Sequence, residues 1–421
     1  MSSPTFSPTS SVTSSPTTPP PAATTPAAEP SPPATSAATP ALATRLPAVG
    51  TTVFTRMSSL AAEHDAVNLG QGFPDFACDP KLVEMVAEAM RAGHNQYPPM
   101  TGAPALRQAI AAKIAALYGH AYDANAEITV TAGATQALTT AILAVVHPGD
   151  EVIVIEPAYD SYMPAVELAG GVVVPVQMAL DDAGYHMPWD RVAAAVTPRT
   201  RLIVVNTPHN PTGSVLRDAD LQVLADIVRG TGILVLSDEV YEHMVYDGHR
   251  HASISRHPVL AARSFVVSSF GKTYHTTGWK IGYVAAPAPL MVEFRKVHQY
   301  NVFSVNAPMQ HGIAAYMANP APYLELPAFY QRKRDLFRAG LAGSRFELLP
   351  ADGTYFQCVR YGAISAMPEA AFAEWLTTEI KVAAIPVSPF YRQARESGIV
   401  RFCFAKKDET LALALGRLAR I

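Results

Sequence analysis

Lys272 lies in Ser268-Ser269-Phe270-Gly271-Lys272-Thr273-Tyr274, directly after the apolar run Phe265-Val266-Val267. A buried amine near a second cation can lose its proton at neutral pH and attack a carbonyl. Earlier segments supply the groups such an amine would need beside it. Gly133-Ala134-Thr135 begins a helical stretch, and the free N–H groups and positive dipole end of a helix start suit a phosphate. Asn206-Thr207-Pro208-His209-Asn210-Pro211-Thr212-Gly213 is a turn-rich loop whose prolines fix its path, so Asn210 can aim its amide at a ligand with little entropy to lose. Ser237-Asp238-Glu239-Val240-Tyr241 offers a carboxylate that can keep a pyridine nitrogen protonated, and a phenol three residues on. Ser269 and Lys280 flank Lys272 and add a hydroxyl and a cation for the phosphate. Amine, carboxylate, phenol, amide and phosphate donors are together the set that pyridoxal 5'-phosphate requires.

Each signal has a plainer reading. A lysine after a strand is usually a surface lysine, Asp238 is placed to cap a helix, and many helices begin with Gly or Thr. Gly271-Lys272-Thr273 resembles the end of a nucleotide-binding P-loop, but the first glycine of that motif would fall at Val266, which excludes it. His243, four residues after Glu239, with His249 and His251, has no recognised ligand spacing, so no metal is expected. What favours one shared site is where the signals fall along the chain.

From residue 128 on, short apolar runs alternate with helical spacers: Ile128–Thr131, Glu151–Ile155, Val172–Val176, Leu202–Val205, Ile233–Leu236, Phe265–Ser268 and Ile281–Ala285. Near-continuous Val/Ile/Leu is the composition of strands buried on both faces. Seven such runs predict an α/β domain with a mostly parallel seven-stranded sheet between helices. In these sheets ligands bind beyond the carboxyl ends of the strands, where all the signals above fall. Before the sheet, Asp79-Pro80 opens one helix that Gly93 closes, and Pro104–Tyr118 forms a second that Gly119 stops. After about residue 321, a helix over Pro327–Leu341, strands at Glu347–Leu349, Tyr355–Val359 and Val400–Ala405, and a helix near Glu369–Glu379 predict a smaller α+β domain. The expected division is a tail over 1–44, a segment over 45–78 associated with the small domain, a large domain over 79–320 and a small domain over 321–421.

Composition narrows the function classes. The 421 residues are 49% hydrophobic and 16% charged, with a net charge of −3, so a large core is available and no nucleic-acid footprint stands out. The Arg332-Lys333-Arg334 run reads as a solvated helix face. Cys78, Cys358 and Cys403 are odd in number and far apart, suggesting neither disulfides nor zinc. No run approaches the roughly 18 apolar residues that span a bilayer. Residues 1–40 are dominated by Pro, Ser, Thr and Ala, with Glu29 the only charge and Phe6 the only aromatic, the composition of a disordered tail. A basic, apolar leader is absent there and the first arginine is Arg45, so a cytoplasmic body is expected.

The chain resembles the fold-type I, class I aminotransferases from about Leu46 to its end, and among them the branch of methionine, kynurenine and glutamine-phenylpyruvate aminotransferases. The resemblance rests on Leu69-Gly70-Gln71-Gly72-Phe73-Pro74-Asp75-Phe76, Asn95-Gln96-Tyr97, Ser237–Glu242, Ser268–Thr273, Thr277-Gly278-Trp279-Lys280-Ile281-Gly282-Tyr283 and Val400–Ala405. It implies that Lys272 carries pyridoxal phosphate and moves the proton, that Asp238 holds the pyridine nitrogen, and that Asn210 and Tyr241 face the ring oxygen. It further implies that Tyr159 stacks on the ring and that Ala134, Thr135, Ser269 and Lys280 bind the phosphate. Tyr97 would reach the neighbouring subunit's phosphate, implying a homodimer with shared sites. Arg401 would clamp the substrate carboxylate through its planar fork, with Asn210 and the backbone of Gly72. Lys280 stands where the aspartate branch has arginine, a departure shared with the methionine and kynurenine branch.

The activity implied is ping-pong transfer of an amino group from an L-amino acid to a 2-oxo acid. Phe54, Tyr97, Tyr159, Tyr274 and Phe303 are the expected pocket walls. With no arginine assignable to a distal carboxylate, they favour methionine, then phenylalanine, tyrosine, glutamine or kynurenine. Two rivals are a cysteine-conjugate C–S β-lyase on the same scaffold, which would release pyruvate and thiol without an acceptor, and a non-catalytic cofactor-binding regulator. The intact lysine and arginine, with no DNA-binding helix pair ahead of the body, speak against the regulator. The partners expected are small amino and oxo acids, with no nucleic acid and no membrane.

Overall fold

A computed structural model describes residues 42–421. The tail expected over residues 1–44 lies outside the described residues except for its last three. The seven apolar runs form one sheet from β1 (Ile128–Thr131), β2 (Glu151–Glu156), β3 (Val172–Gln177), β4 (Thr200–Asn206), β5 (Leu234–Asp238), β6 (Ser264–Ser269) and β7 (Gly282–Ala285). Across the sheet the order is β1-β7-β6-β5-β4-β2-β3. Strands β6, β5, β4, β2 and β3 pair in parallel, whereas β7 runs antiparallel to both β6 and β1.

Successive side chains of a strand point to opposite faces, and here both faces are covered. Ile153, Ile203 and Val235 join Leu221 and Leu224 of the helix Asp218–Val228 in one core. Val152, Leu202 and Leu236 join Ala137 and Leu138 of the helix Ala134–Val145 in another. The Val/Ile/Leu continuity of the sequence follows from this double burial.

Strand register decides which polar residues meet. Asn206 ends β4 opposite Asp238, and Asp238 ends β5 opposite Val267. Gly282 pairs with Ser269 of β6 on one side and Thr131 of β1 on the other. Because β7 is antiparallel, its first residues lie at the edge where the parallel strands end, bringing Lys280 beside Ser269. The helix Ala134–Val145 begins at the same edge, after Gly133 at φ +80°.

The earlier helices fall at Pro80–Arg91, where the Asp79 carboxylate accepts the Lys81 N–H at 2.8 Å, and at Pro104–Tyr118, ended by Gly119 at φ +75°. Toward the C-terminus, β8 (Glu347–Leu348), β9 (Phe356–Arg360), β10 (Ile385–Pro386) and β11 (Ile399–Cys403) make an antiparallel sheet ordered β8-β9-β11-β10. The segment Val67–Asn68 pairs in parallel with Val382–Ala383, and Met57 and Leu69 share a core with Phe402 and Phe404. Arg45–Ile421 make up one compact unit. The helix expected over Glu369–Glu379 is α-helical only to Trp375 and widens to a π turn over Leu376–Ile380, where the Thr377 hydroxyl donates to the Ala373 carbonyl at 2.8 Å. Among the described residues no helix is long and apolar enough to cross a membrane.

Gly282 is the tightest point of this edge. A Cβ there would stand 2.7 Å from the Ser268 carbonyl oxygen and 3.1 Å from the Ala134 nitrogen. Gly282→Ala should therefore lower stability by about 1–3 kcal/mol, the usual cost of overpacking, read as a lower denaturant midpoint with unchanged slope. A midpoint equal to the parent's would show that the edge yields without cost.

Candidate active site

The strand ends, the start of the helix Ala134–Val145 and β11 enclose a cavity of about 260 Å3. Lys272, Asp238, Tyr241, Asn210 and Arg401 all line it. Lys272 lies on the single turn Phe270–Thr273 that follows β6. Its Nζ donates to the Tyr355 hydroxyl oxygen at 2.7 Å and to the Gly72 carbonyl at 3.0 Å. Burial, with Arg401 and Lys280 adding cationic repulsion, pulls its pKa down to about 8.

Asp238 is buried at the end of β5. One oxygen accepts the Tyr162 hydroxyl at 2.6 Å and the other the Val240 N–H at 3.2 Å. Burial raises its pKa to about 6 despite these donors. Asn206 donates its side-chain amide to the Asp238 carbonyl at 2.8 Å and accepts the Asn210 N–H at 2.7 Å. The prolyl loop and β5 are thereby tied together. Tyr241 packs edge-on against Tyr355, ring centroids 5.1 Å apart, and burial pushes its phenol well above the usual range.

Arg401, on β11, is 1% exposed and has no carboxylate partner among the described residues. Nη1 donates to the Asn210 side-chain oxygen at 2.6 Å and Nη2 to the Gly70 carbonyl at 3.2 Å, while the guanidinium lies 3.8 Å over the Phe356 ring. Among the described residues its Nε has no hydrogen-bond partner. A buried cation is costly unless paired, and a carboxylate entering the cavity supplies what Arg401 lacks.

At the other pole, Gly133, Ala134, Thr135, Ser269, Thr277 and Lys280 line the cavity together. Lys280 itself takes φ +55°, and a Cβ on Gly133 would meet its Cε and Nζ at 3.2 Å. Helix-start N–H groups, hydroxyls and an ammonium thus converge on one spot, a donor set for a phosphate. Tyr159 stands beside it, its hydroxyl 3.4 Å from that of Thr135. The chemistry of the whole set fits pyridoxal phosphate: donors at one end, an acid deep in the cavity, and an amine of lowered pKa between them and Arg401.

Behind the cavity, Glu242 joins three elements: the helix Pro104–Tyr118, β6 and β7. It accepts hydrogen bonds from Lys113 Nζ at 2.6 Å, from the Tyr283 hydroxyl at 3.1 Å, and from the Ser268 and Tyr118 hydroxyls. Burial alone would raise its pKa, but Lys113, His243 and the Ser268 hydroxyl hold it well below the usual carboxylate range. Glu239 lies 2.8 Å from His251 and accepts the Ile254 N–H at 2.9 Å, so this acidic pair belongs to the scaffold. Among the described residues no cluster of three metal-binding side chains occurs.

Several expectations need correction. Phe54 and Tyr159 line the cavity, but Tyr274 does not: it packs with Phe270, Ile281 and Tyr316 in a separate core. Tyr97 and Phe303 lie outside the cavity lining and contact each other edge-on at 5.2 Å, with Tyr97 81% exposed. The Gly72 carbonyl faces Lys272 and Tyr355. Tyr162, Tyr355, Asn206 and Phe356 were not anticipated. Tyr162 had a weak signal, one helical turn after Tyr159, whereas Tyr355 and Phe356 reach the site only through tertiary packing.

A sequence profile of the family "Aminotransferase class I and II" matches residues 64–418. The methionine aminotransferase of Escherichia coli (strain K12) is 51% identical over 379 residues, which is 90% of this chain and 98% of that protein. Kynurenine–oxoglutarate transaminase 1 of Mus musculus is 35% identical over 402 residues, 88% of this chain and 95% of that one. A crystal structure of an Escherichia coli protein identified with a methionine aminotransferase function superposes with a TM-score of 0.88 at 49% identity, covering 91% of this chain and 100% of the other.

The lowered pKa of Lys272 has a consequence for folding. Between about pH 8 in the folded protein and the ordinary 10.5 of an unfolded lysine, the unfolded chain binds more protons, so stability rises with pH across that window. In cofactor-free protein, the stability difference between the parent and Lys272→Met should shift toward the parent by up to about 3 kcal/mol over this range and stay flat below about pH 7. Denaturant unfolding of both proteins at several pH values measures it. A difference independent of pH would contradict a buried, deprotonated amine.

Proposed function

The chain belongs to the class I and II aminotransferases, and from that premise we propose that it moves the amino group of an L-amino acid, methionine foremost, to a 2-oxo acid on pyridoxal 5'-phosphate. The observation that carries this reading is the meeting in one cavity of a lysine with a pKa of about 8, a buried aspartate and a buried guanidinium without a carboxylate. When bound, the cofactor supplies an aldehyde for an amine and a protonated ring that accepts the electrons left when a Cα proton departs.

The protein's own groups divide the work. Asp238 keeps the pyridine nitrogen protonated, and that cation relieves the cost of burying its carboxylate. Asn210 and Tyr241 face the ring oxygen, and Tyr159 covers the ring. Ala134, Thr135, Ser269 and Lys280 hold the phosphate. Arg401 takes the substrate carboxylate through Nη and its free Nε, supported by Asn210 and Gly72, which fixes the Cα–H toward Lys272. Lys272 Nζ then moves the proton from Cα, acting as base and afterwards as acid. The second substrate, an oxo acid, retraces the path.

The exposed Tyr97 serves the neighbouring subunit of a homodimer in this reading. The division into a large domain to residue 320 and a small domain beyond, with residues 45–78 on the latter, is supported by the two separate sheets and the Val67–Val382 pairing. A cytoplasmic setting completes the proposal. Methionine is favoured by the Escherichia coli relative and by walls such as Phe54 and Phe356, with Arg401 the one arginine lining the cavity among the described residues. Aromatic amino acids, glutamine and kynurenine follow.

Lys272→Ala should lower turnover roughly 10^2–10^4-fold and abolish the yellow absorbance that borohydride bleaches in the parent. Retained turnover would exclude Lys272 from the chemistry. In a matrix of amino donors against oxo acceptors, kcat/KM for methionine should exceed that for aspartate by at least about tenfold, because a second carboxylate finds no guanidinium of its own. The reverse ranking would overturn the substrate assignment.

A further inference from the structure

Tyr355 lies at the point where Lys272 meets the C-terminal sheet. It is fully buried, packed edge-on against Tyr241 and Phe356, and precedes β9 directly. Its backbone is set by Thr354, which takes φ +64° and whose carbonyl accepts the Tyr246 hydroxyl. Thr354 also accepts the Phe356 N–H at 3.1 Å. A non-glycine residue held in the left-handed region needs such surroundings to persist, so the phenol is fixed from behind.

Three groups surround this hydroxyl: the Gly72 carbonyl, the Lys272 amine and the Tyr241 phenol. Tyr355 donates its one proton to the Gly72 carbonyl, so toward Lys272 its oxygen accepts. The Gly72 carbonyl accepts from the same lysine. A neutral amine has two N–H bonds and one lone pair. The two acceptors, at 2.7 and 3.0 Å and hydrogen-bonded to one another, stand on the same side of Nζ and take its N–H bonds in bent geometry, which leaves the lone pair to the side facing the cavity.

We propose that the Tyr355 hydroxyl and the Gly72 carbonyl form a seat for the free ε-amine of Lys272 that aims its lone pair at the substrate Cα–H. This rests on the proposed function, in which the incoming amino acid frees that amine. The proton leaves Cα and bonds to Nζ, giving an ammonium whose third N–H points back into the cavity, and leaves again from that position to the carbon that accepts it. Tyr355 keeps its own proton throughout, and no oxidant or reductant is consumed. Burial raises the Tyr355 phenol well above its usual value, consistent with a hydroxyl that orients and does not titrate. The residue contacts the reacting nitrogen, so it belongs to the catalytic set.

Tyr355→Phe keeps the ring and removes only the hydroxyl, the acceptor for Lys272 and the donor to Gly72. In the holoenzyme, kcat with methionine should fall roughly ten- to hundredfold while KM stays within about threefold, and substitution of deuterium at Cα should slow the variant more than the parent. In cofactor-free protein, the pH midpoint for acylation of Lys272, followed by peptide mass spectrometry, should drop by about half a pH unit or more, since the ammonium loses an acceptor. A third arm retains Tyr355. Lys272→Ala, loaded with pyridoxal phosphate and methionine, should be rescued by methylamine at least about tenfold better than by dimethylamine, which has similar basicity but one N–H. Equal rescue by the two amines would overturn the proposal. So would a Tyr355→Phe protein that binds cofactor like the parent, with kcat within about twofold and an unchanged acylation midpoint. Failure of the proposed function is a separate result: a parent protein that stays colourless with the cofactor and transfers no amino group.

Discussion

Glu242 accepts from Lys113 and from the hydroxyls of Ser268, Tyr283 and Tyr118, and this buried carboxylate constrains how the rest of the site is assembled. Removing such a charge from water costs several kcal/mol unless it is met by a cation and by donors. The partners come from three parts of the chain. Ser268 precedes Ser269 at the end of β6, Tyr283 lies on β7 just after Lys280 and Gly282, and Lys113 and Tyr118 share one helix. Glu242 itself follows Tyr241 in the turn that Asp238 begins. Satisfying one carboxylate therefore fixes the relative positions of the acid, the lysine-bearing strand end and the phosphate pole. Gly282, with no room for a side chain, draws the same edges together from the front.

Burial then gives Asp238 and Lys272 their chemical character. The same loss of water pushes an acid toward its protonated form and an amine toward its free form, which is why the two titrate near pH 6 and pH 8. Neither group is balanced locally by a strong ion pair. Arg401 is in the same condition, with a guanidinium resting on an aromatic ring and one nitrogen without a hydrogen-bond partner among the described residues. A site lined by three charge-bearing groups without ion pairs among the described residues is prepared for a ligand that carries a cationic ring nitrogen, an aldehyde and, with its substrate, a carboxylate.

Much of this was legible in the sequence because the informative residues are attached to strong local patterns. Every strand of the main sheet is an apolar run, and Asp238, Asn210, Ser269 and Lys272 each follow such a run within a few residues. A ligand site at strand ends converts linear order into spatial proximity. The same logic fails for residues that arrive through packing. Tyr355 precedes a strand of the other sheet, and its role depends on a hydrogen-bond direction that no spacing encodes. Tyr162, at the start of the helix Tyr162–Leu168, and Asn206, at the end of the neighbouring strand, support Asp238 with at most a weak local signal. Tyr274 misled for the opposite reason: two residues after the lysine, it turns into the core beside Phe270. Tyr97 and Phe303 carry their aromatic rings to the outside of the chain, where they meet edge-on.

Arg401 is the one arginine in the cavity lining among the described residues. In a double-displacement cycle the donor amino acid and the acceptor oxo acid must take the same berth in alternate turns. Each is then a dead-end visitor to the enzyme form that awaits the other, and an excess of either throttles the flux it feeds. In the double-displacement reading proposed above, one guanidinium thus serves both reactants in turn, and each competes with the other for it.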